Sequence, residues 1–300
     1  MEKWNLIADV ARCGNCNNCV LATADEHVGN EHPGYSAPQA AQGEPVVRIR
    51  RQVRGATPMV DVAYLPTLCM HCDHAPCIEA SGADGAIAKR ADGIVMIDPL
   101  QAKGRRELVA ACPYGAIVWN EEQQLPQNWI FEAHRLDAGA TALRIAEVCP
   151  TEVFELVKSS DEAMRARAAR EGLRVLRPEL GTSPRVWYRH LERFDHCFIG
   201  GTVMTFIDGV PECLEGAAIE LHQAGAVVAR TTSDAFGDFR FDGLAPGSGA
   251  YEIQLRHGEA LRRVPVVLDA QSVVLGELAL IVGADAGADP GADPGADARR

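Results

Sequence analysis

The apolar and polar positions of this chain follow different patterns before and after residue 159. Before that point the apolar runs are short, and Cys, Pro and Gly residues separate them. Runs such as WNLIAD, VVRIR, GIVMID and AIVWN favour short strands, because a strand needs only about four to eight residues with a buried face. Residues 1–158 therefore predict a loop-rich domain with little regular sheet.

The next segment, SSDEAMRARAAREGL, has the pattern of a single helix. It starts with Ser and Asp, alternates Ala with charged residues and stops at Gly172. Ser and Asp are favoured N-caps and Gly is a favoured C-terminal stop, so an exposed helix is expected. The segment RVLRPELGTSPRVWYRHLERF then predicts an extended linker. Together these make residues 159–196 a connection that packs across the first domain.

From residue 197 the pattern changes to short alternating segments with turn residues between them. Roughly seven strands at this spacing predict a small all-β sandwich or barrel over residues 197–282. The stretch GDFRFDGLAPGSGAYEIQL resembles the prealbumin-like or carboxypeptidase-regulatory-like modules, which implies a β-domain of that class. Residues 283–300 form a Gly/Ala/Asp/Pro repeat that cannot bury a core, so a disordered tail is predicted there.

Charge and hydropathy limit the possible partners. The net charge of −12 argues against nucleic acid and anionic membrane surfaces, which both attract Lys and Arg. The chain contains no run of about eighteen apolar residues, so no membrane span is predicted. The opening residues, MEKWNLIADVARC, lack an apolar segment typical of a secretory signal, so a cytoplasmic protein is expected.

Eight of the ten cysteines lie before residue 150, in an order that indicates metal binding. They form two triplets, in CGNCNNC and CMHCDHAPC, and two Cys-Pro dipeptides: Cys13, Cys16, Cys19; Cys69, Cys72, Cys77; Cys112 and Cys149. Closely spaced Cys triplets completed by a distant Cys are typical of [4Fe–4S] clusters, whereas structural zinc sites draw on separated pairs. Eight thiolates make two complete four-thiolate sites. Cys197 and Cys213 are expected to be buried free thiols, with a disulfide as the minor alternative.

These motifs resemble the four-cluster, double ferredoxin-like iron–sulfur subunits of molybdopterin oxidoreductases of the dimethyl-sulfoxide-reductase superfamily. CGNCNNC is similar to the first cysteine group, CMHCDHAPC to the second, and ADGIVMIDP with ACPYGAI to the third. The segments DEHVGNEHPGY, CPYGAIVWNEEQ and ELGTSPRVWY are similar to small subunits of the pyrogallol–phloroglucinol transhydroxylase and resorcinol hydroxylase type. The resemblance implies an α+β double ferredoxin-like domain followed by the β-domain.

The family's crossed ligand pattern implies how the cysteines combine. The first cluster would be bound by Cys13, Cys16, Cys19 and Cys149, and the second by Cys69, Cys72, Cys77 and Cys112. The same pattern places two further sites where no thiolate is present: one at Thr23, Trp129, Glu132 and Ile145, the other at Ser81, Ala102, Arg105 and Leu108. Each lost site lacks all four ligands, so we expect two clusters on a four-cluster scaffold.

The resemblance implies an electron-transfer subunit with no catalytic side chains of its own. Its partner would be a large subunit with a molybdenum bis-pterin centre, acting on phenolic rings in anaerobic aromatic degradation, and the two chains would form a heterodimer. A soluble electron carrier is the other partner considered. Two alternatives stay open: the same role beside another molybdenum or tungsten bis-pterin enzyme, and a non-redox scaffold stapled by iron–sulfur or zinc.

Several polar residues invite a role beyond the thiolates. His71 and His74 lie among the second triplet, and we expect them to pack or donate hydrogen bonds near that cluster. His27, Glu31 and His32 form a polar group that either faces the partner or belongs to an ordinary hydrogen-bonded loop.

Overall fold

The computed structural model describes residues 1–282, which fall into two compact units. The first comprises residues 1–52 and 62–194, and the second comprises residues 53–61 and the described chain from 195 onward. Residues 53–61, placed in the first domain by the sequence prediction, thus group with the second unit. The predicted tail at 283–300 lies outside the described residues.

The first unit is built of short strands and helices between long loops, as the sequence pattern predicts. Its strands are β1 Lys3–Asp9, β2 Arg48–Ala56, β3 Met59–Thr67, β4 Ile87–Lys89, β5 Val95–Ile97, β6 Ile117–Asn120, β7 Leu125–Asn128, β8 Phe154–Ser159 and β9 Val186–Arg189. The end of β2 and the start of β3, within residues 53–61, fall in the second unit. Its helices are α1 Asn18–His27, α2 Pro76–Ser81, α3 Glu107–Ala110, α4 Ala133–Asp137, α5 Arg144–Glu147, α6 Asp161–Glu171, the 3-10 helix Pro178–Leu180 and α7 Glu192–Asp195, whose last residue falls in the second unit.

The central sheet of the first unit has the strand order β8–β1–β9, with β1 antiparallel to β8 and parallel to β9. Strand β9 comes from the predicted linker, which is therefore part of the sheet. Both faces of β1 are covered: Leu6 joins the main core, while Ile7 packs with Met164 and Ala168 of α6. The remaining strands form three hairpins, β2–β3, β4–β5 and β6–β7.

Helix α6 forms where the sequence predicts it. The Ser160 hydroxyl accepts a hydrogen bond from the Ala163 N–H at 3.2 Å, and Gly172 follows the helix at φ +65°. These are the N-cap and the left-handed C-terminal residue that the segment indicates. Met164 and Ala168 are the buried residues of this helix, and most of its other residues are exposed.

The second unit contains two four-stranded sheets that share one core. Its strands are β10 Cys197–Ile207, β11 Val210–Cys213, β12 Ala218–Gln223, β13 Ala226–Thr232, β14 Asp238–Leu244, β15 Gly249–His257, β16 Ala260–Leu268 and β17 Val273–Ala279. One sheet has β10 bonded to β11, β14 and β17, and the other runs β13–β12–β15–β16. Ile199 and Val203 of the first sheet share a buried cluster with Leu221 and Ile253 of the second, which makes the unit a β-sandwich.

The sequence prediction of this unit missed strand β11. All four of its residues are exposed and one is Pro211, so no apolar alternation marks it. The expectation that Cys197 and Cys213 are both buried is right for Cys197 and wrong for Cys213, because Cys213 lies on this exposed strand. Both thiols are free, so the disulfide alternative does not hold.

The tip of the β2–β3 hairpin is held by a buried arginine in the second unit. The Arg54 side chain is 3% exposed and donates hydrogen bonds to the carboxylates of Asp61 and Asp242 at 2.5 and 2.8 Å. Gly55 lies at φ +76°, and a Cβ there would lie 2.5 Å from the Phe198 ring. These contacts explain why residues 53–61 group with the second unit.

Within residues 1–282, no helix is long and apolar enough to cross a membrane.

Candidate metal centres

Two loops and two helix ends bring the first predicted cysteine set together: Cys13, Cys16, Cys19 and Cys149. In the loop before α1, Asn15 and Asn17 adopt left-handed φ values of 58° and 61°, which Asn tolerates better than most residues. Asn18 then donates its side-chain amide to the Val148 carbonyl at 3.2 Å, which ties the start of α1 to the loop that carries Cys149.

The thiols of this first set are close enough to interact electrostatically. Burial, and then the neighbouring thiols of Cys13, Cys149 and Cys16, raises the pKa of Cys19 to about 12. Burial likewise raises the pKa of Cys13, with Cys149 and Cys16 adding to the rise. Without metal the Cys13 and Cys19 thiols hold their protons at neutral pH, so metal binding at these two residues would release protons.

The second predicted set lines a single cavity: Cys69, Cys72, Cys77 and Cys112. Pro76 opens α2, which places Cys77 in its first turn, and Cys112 follows α3. Burial, together with the thiols of Cys112 and Cys72, raises the pKa of Cys77 to about 12. Burial also raises the pKa of the Cys69 thiol, with Cys112 and Cys77 contributing.

In both Cys-Pro loops a backbone N–H is directed at the cysteine sulfur. The backbone N–H of Ala116 points at the Cys112 sulfur at 3.4 Å, and the N–H of Val153 points at the Cys149 sulfur at the same distance. Each donor is four residues after its cysteine. Such N–H groups stabilise thiolate sulfur and are among the contacts that tune iron–sulfur clusters.

The donor set of each centre fits a [4Fe–4S] cluster. Such a cluster takes four Cys thiolates, and each set supplies four free thiols. Among the described residues no three His, Cys, Asp or Glu side chains are placed to hold one metal ion together. The second cavity is also lined by His71, whose Nε2 atom is buried and has no hydrogen-bond partner within residues 1–282.

The resemblance implies a further cluster site without thiolates at Thr23, Trp129, Glu132 and Ile145, and all four residues are buried, with each at most 5% exposed. The Thr23 hydroxyl donates to the Cys19 carbonyl at 2.9 Å. Trp129 and Ile145 belong to the main core, and Trp129 packs on Phe131 with ring centroids 4.9 Å apart. Large apolar side chains thus occupy this region, as the cost of an internal void demands.

Glu132, the least expected residue of that site, holds the start of α5. Its carboxylate accepts the backbone N–H groups of Arg144 and Ile145 at 2.5 and 3.1 Å, and Arg135 donates to it at 3.0 Å. Burial raises the pKa of Glu132, and the two N–H groups oppose that rise. The carboxylate therefore satisfies backbone donors that are free at any helix N-terminus.

The second set of implied positions without thiolates, Ser81, Ala102, Arg105 and Leu108, has a different environment. Ala102 and Leu108 are fully buried in a small apolar cluster. Ser81 donates to the Ile78 carbonyl at 2.8 Å, and Arg105 donates to the Ser81 carbonyl at 2.9 Å. Arg105 also contacts Asp84 at 3.0 Å, so its charge is paired at the surface.

The structure separates the two histidines of the second triplet. His71 is 1% exposed and its Nδ1 accepts the Val95 N–H at 2.9 Å, whereas His74 is exposed and has Nδ1 3.3 Å from the Gly181 carbonyl. Only His71 faces the cavity of the cysteines. The expected packing or hydrogen bonding near the second cluster therefore applies to His71 and not to His74.

The polar group at His27, Glu31 and His32 is a histidine cluster that excludes the exposed Glu31. His134 completes it: the His32 and His134 ring centroids lie 4.1 Å apart, and those of His27 and His32 lie 4.8 Å apart. The Nε2 of His134 lies 2.9 Å from the Glu26 carboxylate. His134 was not predicted, because no motif signals a contact with residues more than a hundred positions away.

Three polar residues beside the second cysteine set also escaped the sequence analysis. The Lys89 ammonium donates to the carbonyls of His71 and Cys72 at 2.9 and 2.8 Å. Burial raises the pKa of Cys72, and the Thr182 hydroxyl beside its sulfur opposes the rise. Thr182 is in turn 2.6 Å from the Tyr114 hydroxyl. None of these contacts has a spacing signal in the sequence.

Comparison with known proteins agrees with this picture. A family model described as a 4Fe-4S dicluster domain matches residues 60–159. The small subunit of pyrogallol hydroxytransferase from Pelobacter acidigallici is 41% identical over 93% of this chain and 100% of its own length. One tetrathionate reductase subunit from Salmonella typhimurium is 32% identical over 64% of this chain and 74% of its own length.

Other matches are more distant. One selenate reductase subunit from Mesobacillus selenatarsenatis is 26% identical over 62% of this chain and 71% of its own length. Among solved structures, Klebsiella pneumoniae 5-hydroxyisourate hydrolase covers 30% of this chain and 90% of its own at 15% identity, with a TM-score of 0.23 that supports no argument. On its sequence matches the chain belongs to the iron–sulfur electron-transfer subunits of molybdopterin oxidoreductases, the family that includes the pyrogallol hydroxytransferase small subunit.

Proposed function

We propose that this chain carries two [4Fe–4S] clusters and exchanges electrons with a molybdenum bis-pterin centre in a larger partner subunit that hydroxylates or transhydroxylates phenolic rings. One observation carries the cluster count. Two separate sets of four thiols converge from distant segments, whereas the two remaining family positions contain no thiol and are filled by other side chains. The first cluster is assigned to Cys13, Cys16, Cys19 and Cys149, and the second to Cys69, Cys72, Cys77 and Cys112.

The partner and its substrate class rest on the similarity to the pyrogallol hydroxytransferase small subunit, which extends over nearly the whole of both chains. Bound clusters supply one-electron redox chemistry. The protein's own residues bind iron through the thiolates, donate N–H groups to sulfur and exclude water from the second centre. We assign no catalytic side chain to this chain.

We also propose a fold for each of the two units. Each predicted cysteine set has a triplet and a Cys-Pro loop with an N–H donor four residues on, which supports a double ferredoxin-like arrangement. The shared core of the two sheets in the second unit supports the prealbumin-like sandwich. We keep the boundaries 1–158, 159–196 and 197–282 as proposed domains, apart from the hairpin tip 53–61.

A second candidate is the same electron-transfer role beside a different molybdenum or tungsten enzyme. It is favoured by the matches to tetrathionate and selenate reductase subunits, each of which covers about two thirds of this chain. A non-redox scaffold, in which metal only staples the fold, is the third candidate. A soluble electron carrier is proposed as a further partner in the first two cases.

Anaerobic co-expression with the large subunit tests these candidates. The proposal predicts about eight irons and eight sulfides per small chain, reducible cluster signals in electron paramagnetic resonance, and turnover of phenolic substrates by the complex. Turnover of an inorganic oxyanion but of no phenol would favour the second candidate. Zinc without sulfide, or iron that no reductant changes, would leave only the scaffold.

A further inference from the structure

His71 contains a buried hydrogen-bond donor for which the protein provides no acceptor. Its Nδ1 accepts the Val95 N–H at 2.9 Å, so in the neutral ring the proton is on Nε2. The side chain is 1% exposed, and Nε2 has no hydrogen-bond partner within residues 1–282. An unpaired buried donor costs free energy and is rare in folded proteins, so it calls for an acceptor that the polypeptide does not supply.

The position of the ring indicates where that acceptor lies. His71 lines the cavity that is also lined by Cys69, Cys72, Cys77 and Cys112. Its own backbone N–H is directed at the Cys69 sulfur. The residue thus contributes both its main chain and its side chain to the wall around the second cysteine set.

The protein holds His71 in this position at a conformational cost. Its φ of +46° is unusual for a residue with a side chain. The Lys89 ammonium fixes the His71 carbonyl at 2.9 Å, and the imidazole packs edge-on against Trp129 and Phe131, with ring centroids 5.6 and 5.1 Å away. Trp129 belongs to the lost cluster site, so a residue that fills one former centre positions a donor beside the other.

We propose that the Nε2–H of His71 donates a hydrogen bond to a sulfur of the second cluster and thereby raises the reduction potential of that cluster. The inference rests on the proposed cluster at Cys69, Cys72, Cys77 and Cys112. Reduction adds negative charge to the cluster, and a hydrogen-bond donor to sulfur stabilises the more negative state. Loss of the donor therefore lowers the potential of this cluster and leaves the other unchanged.

Three variants of the complete complex, purified anaerobically, test the proposal. His71→Asn keeps an oxygen near the position of Nδ1 for the Val95 N–H but removes the donor at Nε2. His71→Gln has a longer amide that can return a donor to that region. His74→Asn is the matched control, because His74 lies in the same loop but is exposed and has its Nδ1 near the Gly181 carbonyl.

The measurements are iron content, the midpoint potentials of both clusters by redox titration, and pulsed paramagnetic resonance of protein labelled with histidine that carries ¹⁵N only in the imidazole ring, because the His71 backbone N–H is itself directed at the Cys69 sulfur. We expect full iron content in all variants, a lower potential for one cluster in His71→Asn, partial recovery in His71→Gln, and no change in His74→Asn. In the parent protein the reduced second cluster should couple to one histidine nitrogen, and this coupling should vanish in both His71 variants.

Each remaining outcome has a definite meaning. Two intact clusters with unchanged potentials in His71→Asn, or without histidine coupling in the parent protein, would overturn the inference and leave the proposed function in place; the N–H would then point at the indole of Trp129. If His71→Asn fails to hold iron, the nitrogen coupling in the parent protein decides the question alone. A parent protein without iron and sulfide would overturn both.

Discussion

The carboxylate of Glu132 accepts the backbone N–H of Ile145 at 3.1 Å, and both residues stand where the family would place thiolates of a further cluster. Glu132 supplies the acceptor and Ile145 supplies the donor. A buried carboxylate therefore holds the start of α5 in this region.

Removal of that carboxylate should destabilise the first unit. In Glu132→Ala the buried N–H of Ile145 and the partly buried N–H of Arg144 lose their acceptor, and we expect the free energy of unfolding to fall by about 2–3 kcal/mol. Chemical denaturation of the anaerobic protein measures this. Glu162→Ala, at an exposed position of α6, is the control and should change the free energy by less than about 0.5 kcal/mol. Equal effects of the two variants would refute the capping role.

Cysteine variants should reveal which thiols share a cluster. Cys112→Ala should lose about four of about eight irons, and adding Cys69→Ala should cost no further iron. Adding Cys149→Ala to Cys112→Ala should instead remove both clusters. Cys213→Ala, at an exposed free thiol of the second unit, should keep all the iron.

Iron and sulfide analysis, with circular dichroism to verify folding, is sufficient for this test. If Cys112→Ala lost all its iron while remaining folded, the proposed division into two independent sets would be wrong.

Acid should destabilise the protein through its histidine cluster. Burial, followed by the neighbouring His32, lowers the pKa of His27 to about 4; His134 and Arg144 act in the same direction, and Glu26 opposes them. The unfolded chain gains a proton near pH 6.5 that the folded chain accepts only near pH 4. The free energy of unfolding is therefore unaffected by His27 above pH 6.5. It decreases as the pH falls toward 4, by roughly 3 kcal/mol in total.

Urea denaturation at pH 7.5, 6 and 5 measures this loss. His27→Asn removes the titrating group, so its stability should fall less over this range than that of the parent protein. Comparison of the two proteins cancels the acid sensitivity of the clusters, which they share. His257→Asn, in the second unit, should follow the parent protein, and parallel curves for all three would exclude the assigned role of His27.

The hydroxyl pair near the second cysteine set should also affect the redox properties. The hydroxyls of Tyr114 and Thr182 are 2.6 Å apart, and that of Thr182 lies beside the Cys72 sulfur. Thr182→Val preserves the shape but removes the donor to sulfur, so the potential of the second cluster should fall. Tyr114→Phe should produce a smaller shift in the same direction.

Redox titration of both clusters gives the result. Thr151→Val provides a comparison at the first set, because the Thr151 hydroxyl lies 3.7 Å from the Cys149 sulfur. It should shift only the first cluster. A shift of both clusters in either variant would point to a global change and not to a local hydrogen bond.

Local signals in the sequence predicted the parts of the structure that depend on neighbouring residues. The cysteine spacing, the capped helix at 161–171 and most strands of the β-sandwich fall in this group. The contacts of His134 with His27 and of Thr182 with Cys72 were not predictable, because more than a hundred residues separate each pair and polar contacts have no periodicity. The role of Glu132 was missed for a related reason: its partners are backbone N–H groups, which no sequence displays.

The hairpin tip at 53–61 bears on how the chain can be divided. The polypeptide passes between the units after residues 52, 61 and 194, whereas an appended module needs only one such passage. A truncation after residue 194 would remove Asp242 and Phe198 and leave the cation of Arg54 exposed on a hairpin built to be covered. The β-sandwich therefore cannot be removed by a single truncation. An isolated iron–sulfur fragment would require a redesigned β2–β3 hairpin as well as a shorter chain.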